Sequence, residues 1–111
     1  MDFKSDMNAL LLGVLQSGPA HGYEIAKRVN ALADGALKVG EAKLYPFLHK
    51  LEEEGMIVAE WVPQEGKPAR KIYRLTAKGQ GVLVEKRQAW DKFKVAVNKI
   101  IGDPAKVKTR G

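Results

Sequence analysis

The sequence predicts an α+β fold that is mostly helical, a winged helix-turn-helix with a two-stranded wing and a long C-terminal helix. One observation is the stretch from Glu41 to Thr76, where a helical pattern stopped by Gly55 precedes two strand-like runs joined by a basic turn. The other is that apolar residues recur at helical spacing before and after this stretch. Helices around a basic hairpin, in this order, have the outline of a winged helix.

Two short helices are predicted ahead of this stretch. The first runs from about Asp6 to Gln16 and stops where Gly18 and Pro19 break the pattern. The second runs from about His21 to Ala33 and ends near Asp34-Gly35. Their core-facing residues are predicted to be Met7, Leu10, Leu11, Val14, Leu15, Ile25, Ala26, Val29 and Leu32. Two short helices joined by a tight turn suit a helix-turn-helix scaffold.

The third helix is predicted from about Glu41 to Glu54, with Gly55 as a left-handed cap at its end. The residues expected to face the core are Leu44, Phe47, Leu48 and Leu51. Pro46 conflicts with a regular helix, because it cannot donate a hydrogen bond to the carbonyl of Ala42. Gly40 supplies no capping side chain. We therefore expect this helix to be bent at its start or to begin late.

The wing is predicted from two runs rich in β-branched and aromatic residues, Met56 to Val62 and Arg70 to Leu75. Pro63, Gly66 and Pro68 lie between the runs, and these residue types suit an open hairpin loop. The loop is also basic, as a wing that touches nucleic acid requires.

A long final helix is predicted from a cap at Thr76 to about Ile101, although Gly79 and Gly81 weaken its first turns. A seam of apolar residues follows this helix at the spacing of a helical pair: Leu83, Trp90, Phe93, Val97 and Ile100. The remaining domain is too small to cover this surface, so we expect a dimerisation helix and a homodimer. The alternative is an ordinary helix of the intramolecular core.

The length of 111 residues and the 45% hydrophobic content predict one folded domain. Its parts are a winged helix-turn-helix DNA-binding region over 1–76, the dimerisation helix over 77–101 and a basic, flexible tail over 102–111. The longest apolar run, Ala9 to Leu15, is far too short to cross a bilayer. We expect a cytoplasmic protein with no membrane partner.

The formal net charge of +6 points to an anionic partner, because cations that neutralise phosphates release counterions. Charge alone leaves nucleic acid, an acidic membrane and simple solubility open. The chain has no cysteine, which excludes disulfides, thiolate metal sites and a cysteine nucleophile.

Candidate DNA-binding residues lie on the third helix and in the wing. On the helix they are Ala42, Lys43, Tyr45, Pro46, His49 and Lys50. In the wing they are Lys67, Arg70 and Lys71. The alternative for the helix residues is a solvated face, and Arg74 either touches phosphate or pairs across the strands. For His21 and Tyr23 we favour a structural role, with the tyrosine buried.

Catalysis and metal binding are not expected. The two histidines lie far apart in the chain, and no glycine-rich phosphate loop follows a strand. The carboxylates of Glu52, Glu53 and Glu54 are adjacent in sequence, so they point in different directions and do not suggest a metal site. No cofactor is expected, and the protein is interpreted as a binding protein rather than an enzyme.

Four motifs lie between about Leu10 and Ile101. They are Gly18-Pro19-Ala20-His21-Gly22-Tyr23-Glu24-Ile25, Leu44-Tyr45-Pro46 with Leu48 and Leu51-Glu52, Gly55-Met56-Ile57, and Arg70-Lys71-Ile72-Tyr73-Arg74-Leu75-Thr76. Together they resemble the PadR family of bacterial transcriptional regulators, in particular its short members with a single C-terminal helix. One departure is Lys43, since this position commonly carries a small hydroxyl residue in the family. A lysine brings a long, flexible charge suited to phosphate or to guanine, where a hydroxyl would accept or donate locally.

This resemblance implies a winged-helix dimer whose third helix enters the major groove, usually for repression. Some short members also bind flat hydrophobic drugs between the subunits, above a tryptophan of the last helix, and Trp90 stands at that position. The residues assigned to an effector pocket or dimer seam are Met7, Leu11, Trp90, Phe93 and Val97. The alternative for Trp90 is an aromatic side chain that only packs.

The predicted function is that of a transcriptional regulator, most simply a repressor, that binds double-stranded DNA at a two-fold symmetric operator as a homodimer. A small hydrophobic or aromatic effector at the dimer interface is the further implication of the resemblance. The alternative function is a winged-helix protein-interaction module without sequence-specific DNA binding.

Overall fold

The structure, a computed structural model, describes residues 3–34 and 38–102. Its elements are α1 (Phe3–Leu15), β1 (Ala20–His21), α2 (Gly22–Leu32), α3 (Glu41–Glu53), β2 (Ile57–Gln64), β3 (Lys67–Leu75) and α4 (Ala77–Ile101). This order confirms the predicted winged helix class. The basic tail predicted over 102–111 lies outside the described residues except for Gly102.

A short strand that was not predicted joins the wing to the helical part. Ala20 pairs with Tyr73 and His21 with Ile72, which makes a three-stranded sheet in the order β1-β3-β2. Two residues are too few to show a strand periodicity in sequence. His21 also caps α2, because its Nδ1 accepts a hydrogen bond from the backbone N–H of Glu24 at 3.2 Å. The structural role expected for His21 is therefore present.

The hairpin is tighter than the open loop predicted over residues 63–69. The strands continue to Gln64 and begin again at Lys67, so the turn is reduced to two residues, of which Gly66 has a φ of +70°. Pro63 and Pro68 fall in an irregularity between the Val62–Arg70 and Gln64–Lys67 pairs. Such irregularities are where strands generally accommodate proline, which has no N–H to donate to the ladder.

The core is formed where α1, α2 and α3 meet the base of the sheet. Its fully buried large side chains are Leu11, Leu12, Ile25, Leu44, Leu48, Leu51 and Ile57. Two residues predicted to face the core do not: Leu10 is exposed, and Leu32 is 77% exposed. Both instead line an open apolar groove of about 250 Å³ between α1 and α2.

The third helix begins at Glu41 without a side-chain cap from Gly40, and it includes Pro46. The expected late start is therefore wrong. Leu44 and Leu48 are fully buried on either side of the proline and hold the first turns in place. The predicted end is confirmed, since Gly55 has a φ of +76° and follows the last turn.

The last helix begins next to the base of the wing, where two hydrogen bonds of Thr76 fix its first turn. Thr76 Oγ1 accepts a hydrogen bond from the N–H of Gly79 at 3.1 Å, as a capping residue does. The backbone N–H of Thr76 donates to the carbonyl of Met56 at 3.1 Å. Within α4, which is described along its whole length, only Gly79 is buried. None of the described helices is long and apolar enough to cross a membrane.

Candidate nucleic-acid interface

One face of α3 is buried and the opposite face is open. Leu44, Leu48 and Leu51 fix the helix against the core, and the helical period therefore turns the remaining positions outward. All six predicted contact residues of this helix are exposed: Ala42, Lys43, Tyr45, Pro46, His49 and Lys50. The structure thus brings them together on one surface, as the sequence pattern predicted.

Tyr45 is oriented by two neighbours. Its hydroxyl donates a hydrogen bond to Glu41, one turn earlier in α3. Its ring lies against Gly22, where an added β-carbon would be 3.1 Å from the hydroxyl oxygen. The hydrogen bond to the Glu41 carboxylate is the main cause that raises the pKa of Tyr45 to about 12, with partial burial adding to it. The phenol therefore stays neutral, and its oxygen can still accept a hydrogen bond.

An open concavity of about 640 Å³ separates the start of α3 from the wing. It is lined by His21, Gly22, Tyr23, Glu41, Tyr45, Trp61, Gln64, Lys67, Pro68, Ala69, Arg70, Lys71 and Tyr73. Helix, wing and the start of α2 each supply part of its wall. All three predicted wing residues thus line this concavity, and Tyr45 is the predicted helix residue that faces them across it.

Four cations lie exposed on α3 and the wing, and two of them, Lys67 and Arg70, line the concavity. Lys43 and Lys50 lie on α3, and Lys67 and Arg70 lie on the wing. Within the described part of the chain, none of the four is paired with a carboxylate. Unpaired cations on an exposed face attract anions without the competition of an internal partner.

Three other basic side chains of this region, His49, Lys71 and Arg74, lie close to carboxylates. Lys71 Nζ lies 3.0 Å from Glu52 Oε1, and Arg74 lies 3.7 Å from Glu60 on the neighbouring strand. The latter contact is the cross-strand alternative for Arg74. His49 Nε2 lies 3.1 Å from Glu53, so Glu52 and Glu53 have separate partners.

Two aromatic side chains at the concavity were missed or misplaced by sequence reasoning. Trp61 is 67% exposed, and Tyr23, expected to be buried, is 61% exposed. The sequence could have placed Trp61 at this surface, because it alternates with Ile57 and Ala59 and so shares the inner face of β2. Tyr23 follows the first residue of α2, and there the helix turns its side chain away from the core.

The residues predicted for an effector pocket or dimer seam fall into two groups. Met7 and Leu11 are buried in the core of the chain itself. Trp90 and Phe93 are exposed on α4, with ring centroids 6.3 Å apart in an edge-to-face contact. Val97 is half-buried on the same helix. The described chain therefore does not form one pocket that is open to all five.

A core of three helices, a two-stranded wing packed against it and the exposed face of α3 define a winged helix-turn-helix protein. A family model described as the transcriptional regulator PadR-like family matches residues 11–85. The chain belongs to this family of PadR-like transcriptional regulators.

Three known proteins show how similar the relatives are. A transcriptional regulator of Mycobacterium tuberculosis is 40% identical over 56 residues, which cover 50% of this chain and 51% of that protein. This match thus spans about half the length of the relative. A transcriptional regulator of Clostridium thermocellum superposes with a TM-score of 0.76 at 28% identity, over 86% of this chain and 89% of that one.

The third is a solved complex. The structure of Bacillus subtilis PadR with operator DNA has a TM-score of 0.65 and 29% identity to this chain. The superposition covers 70% of this chain and 44% of that one.

Proposed function

We propose that this protein is a transcriptional repressor that binds double-stranded DNA through α3 and the wing. The observation that carries the proposal is a set of four exposed cations, Lys43 and Lys50 on α3 and Lys67 and Arg70 on the wing, which have no carboxylate partner within the described residues. In this arrangement α3 lies in the major groove and the wing lies against the neighbouring phosphates. The likeness to Bacillus subtilis PadR, which was solved with operator DNA, supports DNA binding by this chain.

The proposed roles of the helix residues follow from their chemistry. Lys43 and Lys50 neutralise phosphate or approach guanine, while Tyr45 and His49 offer hydrogen bonds at the groove. Ala42 and Pro46 present small apolar surface, which suits a thymine methyl group. Because the first turns of a recognition helix face the bases, residues 42–46 carry sequence preference more than residues 49 and 50 do.

The proposed active species is a homodimer that reads a two-fold symmetric operator. Helix α4 exposes apolar side chains along its length, Trp90, Phe93, Val95, Ile100 and Ile101 among them, and it buries only Gly79 in its own chain. The groove between α1 and α2 is apolar and open, so it offers a second surface for the α4 of a partner. Two recognition helices would then stand roughly 34 Å apart, one turn of DNA.

A small planar aromatic effector at the dimer interface is proposed to release the DNA. Support comes from the exposed edge-to-face pair of Trp90 and Phe93, whose rings offer a flat ligand an apolar surface. An effector acts only if it binds one spacing of the two α3 helices better than the other. Its pocket therefore needs both subunits.

The experiment that tests DNA binding is a salt series with a duplex from the protein's own promoter and an unrelated duplex of equal length. Affinity should fall steeply with salt, and Lys67→Ala and Arg70→Ala should each lower the logarithmic slope by about 0.9. Lys92→Ala, an exposed cation on α4, is the matched control and should leave the slope unchanged. An affinity independent of salt would refute the proposal and favour the protein-interaction module.

A further inference from the structure

Lys71 differs from Lys67 and Arg70 because its side chain is partly buried and paired with a carboxylate of α3. Its Nζ lies 3.0 Å from Glu52 Oε1, and both side chains are only about one-third exposed, at 30% and 33%. The same ammonium lies 5.9 Å from the ring centre of Trp61 and 5.3 Å from that of Tyr73. One carboxylate and two aromatic faces therefore surround this charge.

The surroundings stabilise the charged form of Lys71. The hydrogen bond with Glu52 raises the pKa of Lys71, and this effect outweighs the opposing effect of burial. A phosphate that approached this ammonium would have to displace a carboxylate already in place. Lys67 and Arg70 face no such competition, because neither has a carboxylate partner in the described residues.

The contact joins two elements that are far apart in sequence. Glu52 is in the last turn of α3 and Lys71 is 19 residues later on β3. The base of the wing is already fixed, since Tyr73 and Ile72 pair with β1 and Ile57 is in the core. From Lys71 towards the turn of the hairpin, β3 pairs only with β2. Lys71 is thus the first residue of the free part of the wing, and it is tied directly to α3.

We propose that Lys71 and Glu52 form a brace that sets the angle between the wing and the recognition helix, so that Lys71 acts as a positioning residue and not as a phosphate contact. This inference rests on the proposed DNA-binding function. Lys67 and Arg70 reach the phosphates that flank the major groove only if the wing is held at the distance that α3 requires. The brace provides that constraint with a side chain of each element.

The brace and a direct phosphate contact by Lys71 predict opposite changes in DNA affinity for the substitution Glu52→Gln. If Lys71 were a phosphate contact, Glu52→Gln would remove a competing anion and strengthen DNA binding. If the pair is a brace, Glu52→Gln loosens the wing and weakens binding by up to about fivefold, the equivalent of a surface ion pair worth about 1 kcal/mol. Glu53→Gln removes the same charge one residue later and is the matched control, which should not weaken binding.

The salt series separates the roles a second time. Lys71→Met should lower affinity and leave the logarithmic salt slope close to that of the wild type, whereas Lys67→Ala lowers the slope by about 0.9. The reversed pair, Glu52→Lys with Lys71→Glu, should bind better than either single variant. Tighter binding by Glu52→Gln, or a slope reduced by Lys71→Met as much as by Lys67→Ala, overturns the brace.

A measurement without DNA keeps the two proposals separate. Amide hydrogen exchange at Trp61 and Arg70, in the free part of the wing, should be faster in Glu52→Gln and unchanged in Glu53→Gln. Equal exchange in both variants refutes the brace even if DNA binding is established. A wild-type protein that binds neither duplex refutes the DNA-binding function, and the exchange experiment still decides whether the brace exists.

Discussion

Gly79 lies against the carbonyl of Met56 so closely that a β-carbon at position 79 would come within 2.1 Å of that oxygen. The same carbonyl accepts the backbone N–H of Thr76 at 3.1 Å. The first turn of α4 therefore rests directly on the backbone that leads into the wing. A glycine at this position is required by the approach of two backbones, although in sequence it suggested only a weak helix start.

Gly79→Ala should destabilise the fold despite the better helix propensity of alanine. The added carbon would meet Met56 backbone at 2.1 Å and the side chain of Leu75 at 2.8 Å, so the helix must move. We expect a loss of about 1–3 kcal/mol in the free energy of unfolding, measured by urea denaturation. Gly81→Ala is the control, because nothing lies within 4 Å of that position, and it should stabilise by about 0.5–1 kcal/mol. Equal effects at both positions would contradict the close approach.

Glu41→Ala should lower the pKa of Tyr45 from about 12 towards the ordinary value of 10.0, because the acceptor of its hydroxyl is lost. A pKa raised on folding adds stability below pH 10, and this stability is lost as pH rises from 10.0 to about 12. The measurement is the ultraviolet absorbance of tyrosinate, assigned with Tyr45→Phe. Glu53→Ala, in the same helix, should leave the pKa of Tyr45 unchanged. An equal fall of that pKa in Glu53→Ala would contradict a specific contact between Tyr45 and Glu41.

Trp61→Ala should weaken DNA binding without changing its salt dependence. The indole is exposed on the inner face of the wing, so DNA held against that face would cover it. Loss of about 1 kcal/mol corresponds to about fivefold in affinity, and no charge is removed. Val58→Ala on the opposite face of the same strand is the control. Unchanged affinity of Trp61→Ala would place the DNA elsewhere on the wing.

Phe93→Glu should separate the proposed homodimer, because it places a charge on the seam of α4 where a partner helix would bury it. We expect a monomer at micromolar concentration in sedimentation experiments, with weaker operator binding because the half-sites are no longer linked. Gln88→Glu adds the same charge to the opposite face of α4 and should remain a dimer. A wild-type protein that sediments as a monomer would remove the dimer and the shared pocket together.

Planar aromatic compounds should quench the emission of Trp90 if they bind beside it. The chain has two tryptophans, so the titration requires a Trp61→Phe background in which Trp90 is the single emitter. In the Trp61-containing protein, Trp90→Ala should reduce affinity about tenfold, measured by calorimetry, through the loss of one aromatic face. Equal affinity would mean that Trp90 only packs.

Local features were predictable because they depend on neighbours in the chain. The periodic leucines of α3, the left-handed Gly55 and the capping Thr76 each act within a few residues. The winged helix class followed from their order. The exposed face of α3 also followed, since a helix that buries Leu44 and Leu48 must present the residues between them on its other sides.

Long-range features could not be predicted in the same way. The strand at Ala20 and His21 exists only because β3 lies beside it, and two residues have no periodicity of their own. Leu32 matches a helical stripe and is nevertheless exposed, because it lines an open groove rather than the core. Tyr23 was expected to be buried for its chemistry, but its place in α2 turns it outward.

The sequence alone determined the four helices and the two wing strands of this protein, its basic character and its family, because hydrophobic period, glycine and capping residues act locally. Only the tertiary structure decided which charges are unpaired, and that the carbonyl of Met56 lies too close to position 79 for any residue but glycine. Lys67, Arg70 and Lys71 are alike as wing cations in sequence, yet within the described residues Lys71 alone among them meets a carboxylate, brought from α3 by the fold. The physical reason is that ion pairing and backbone contact depend on distances between elements, and those distances exist only after the helices and the sheet have packed.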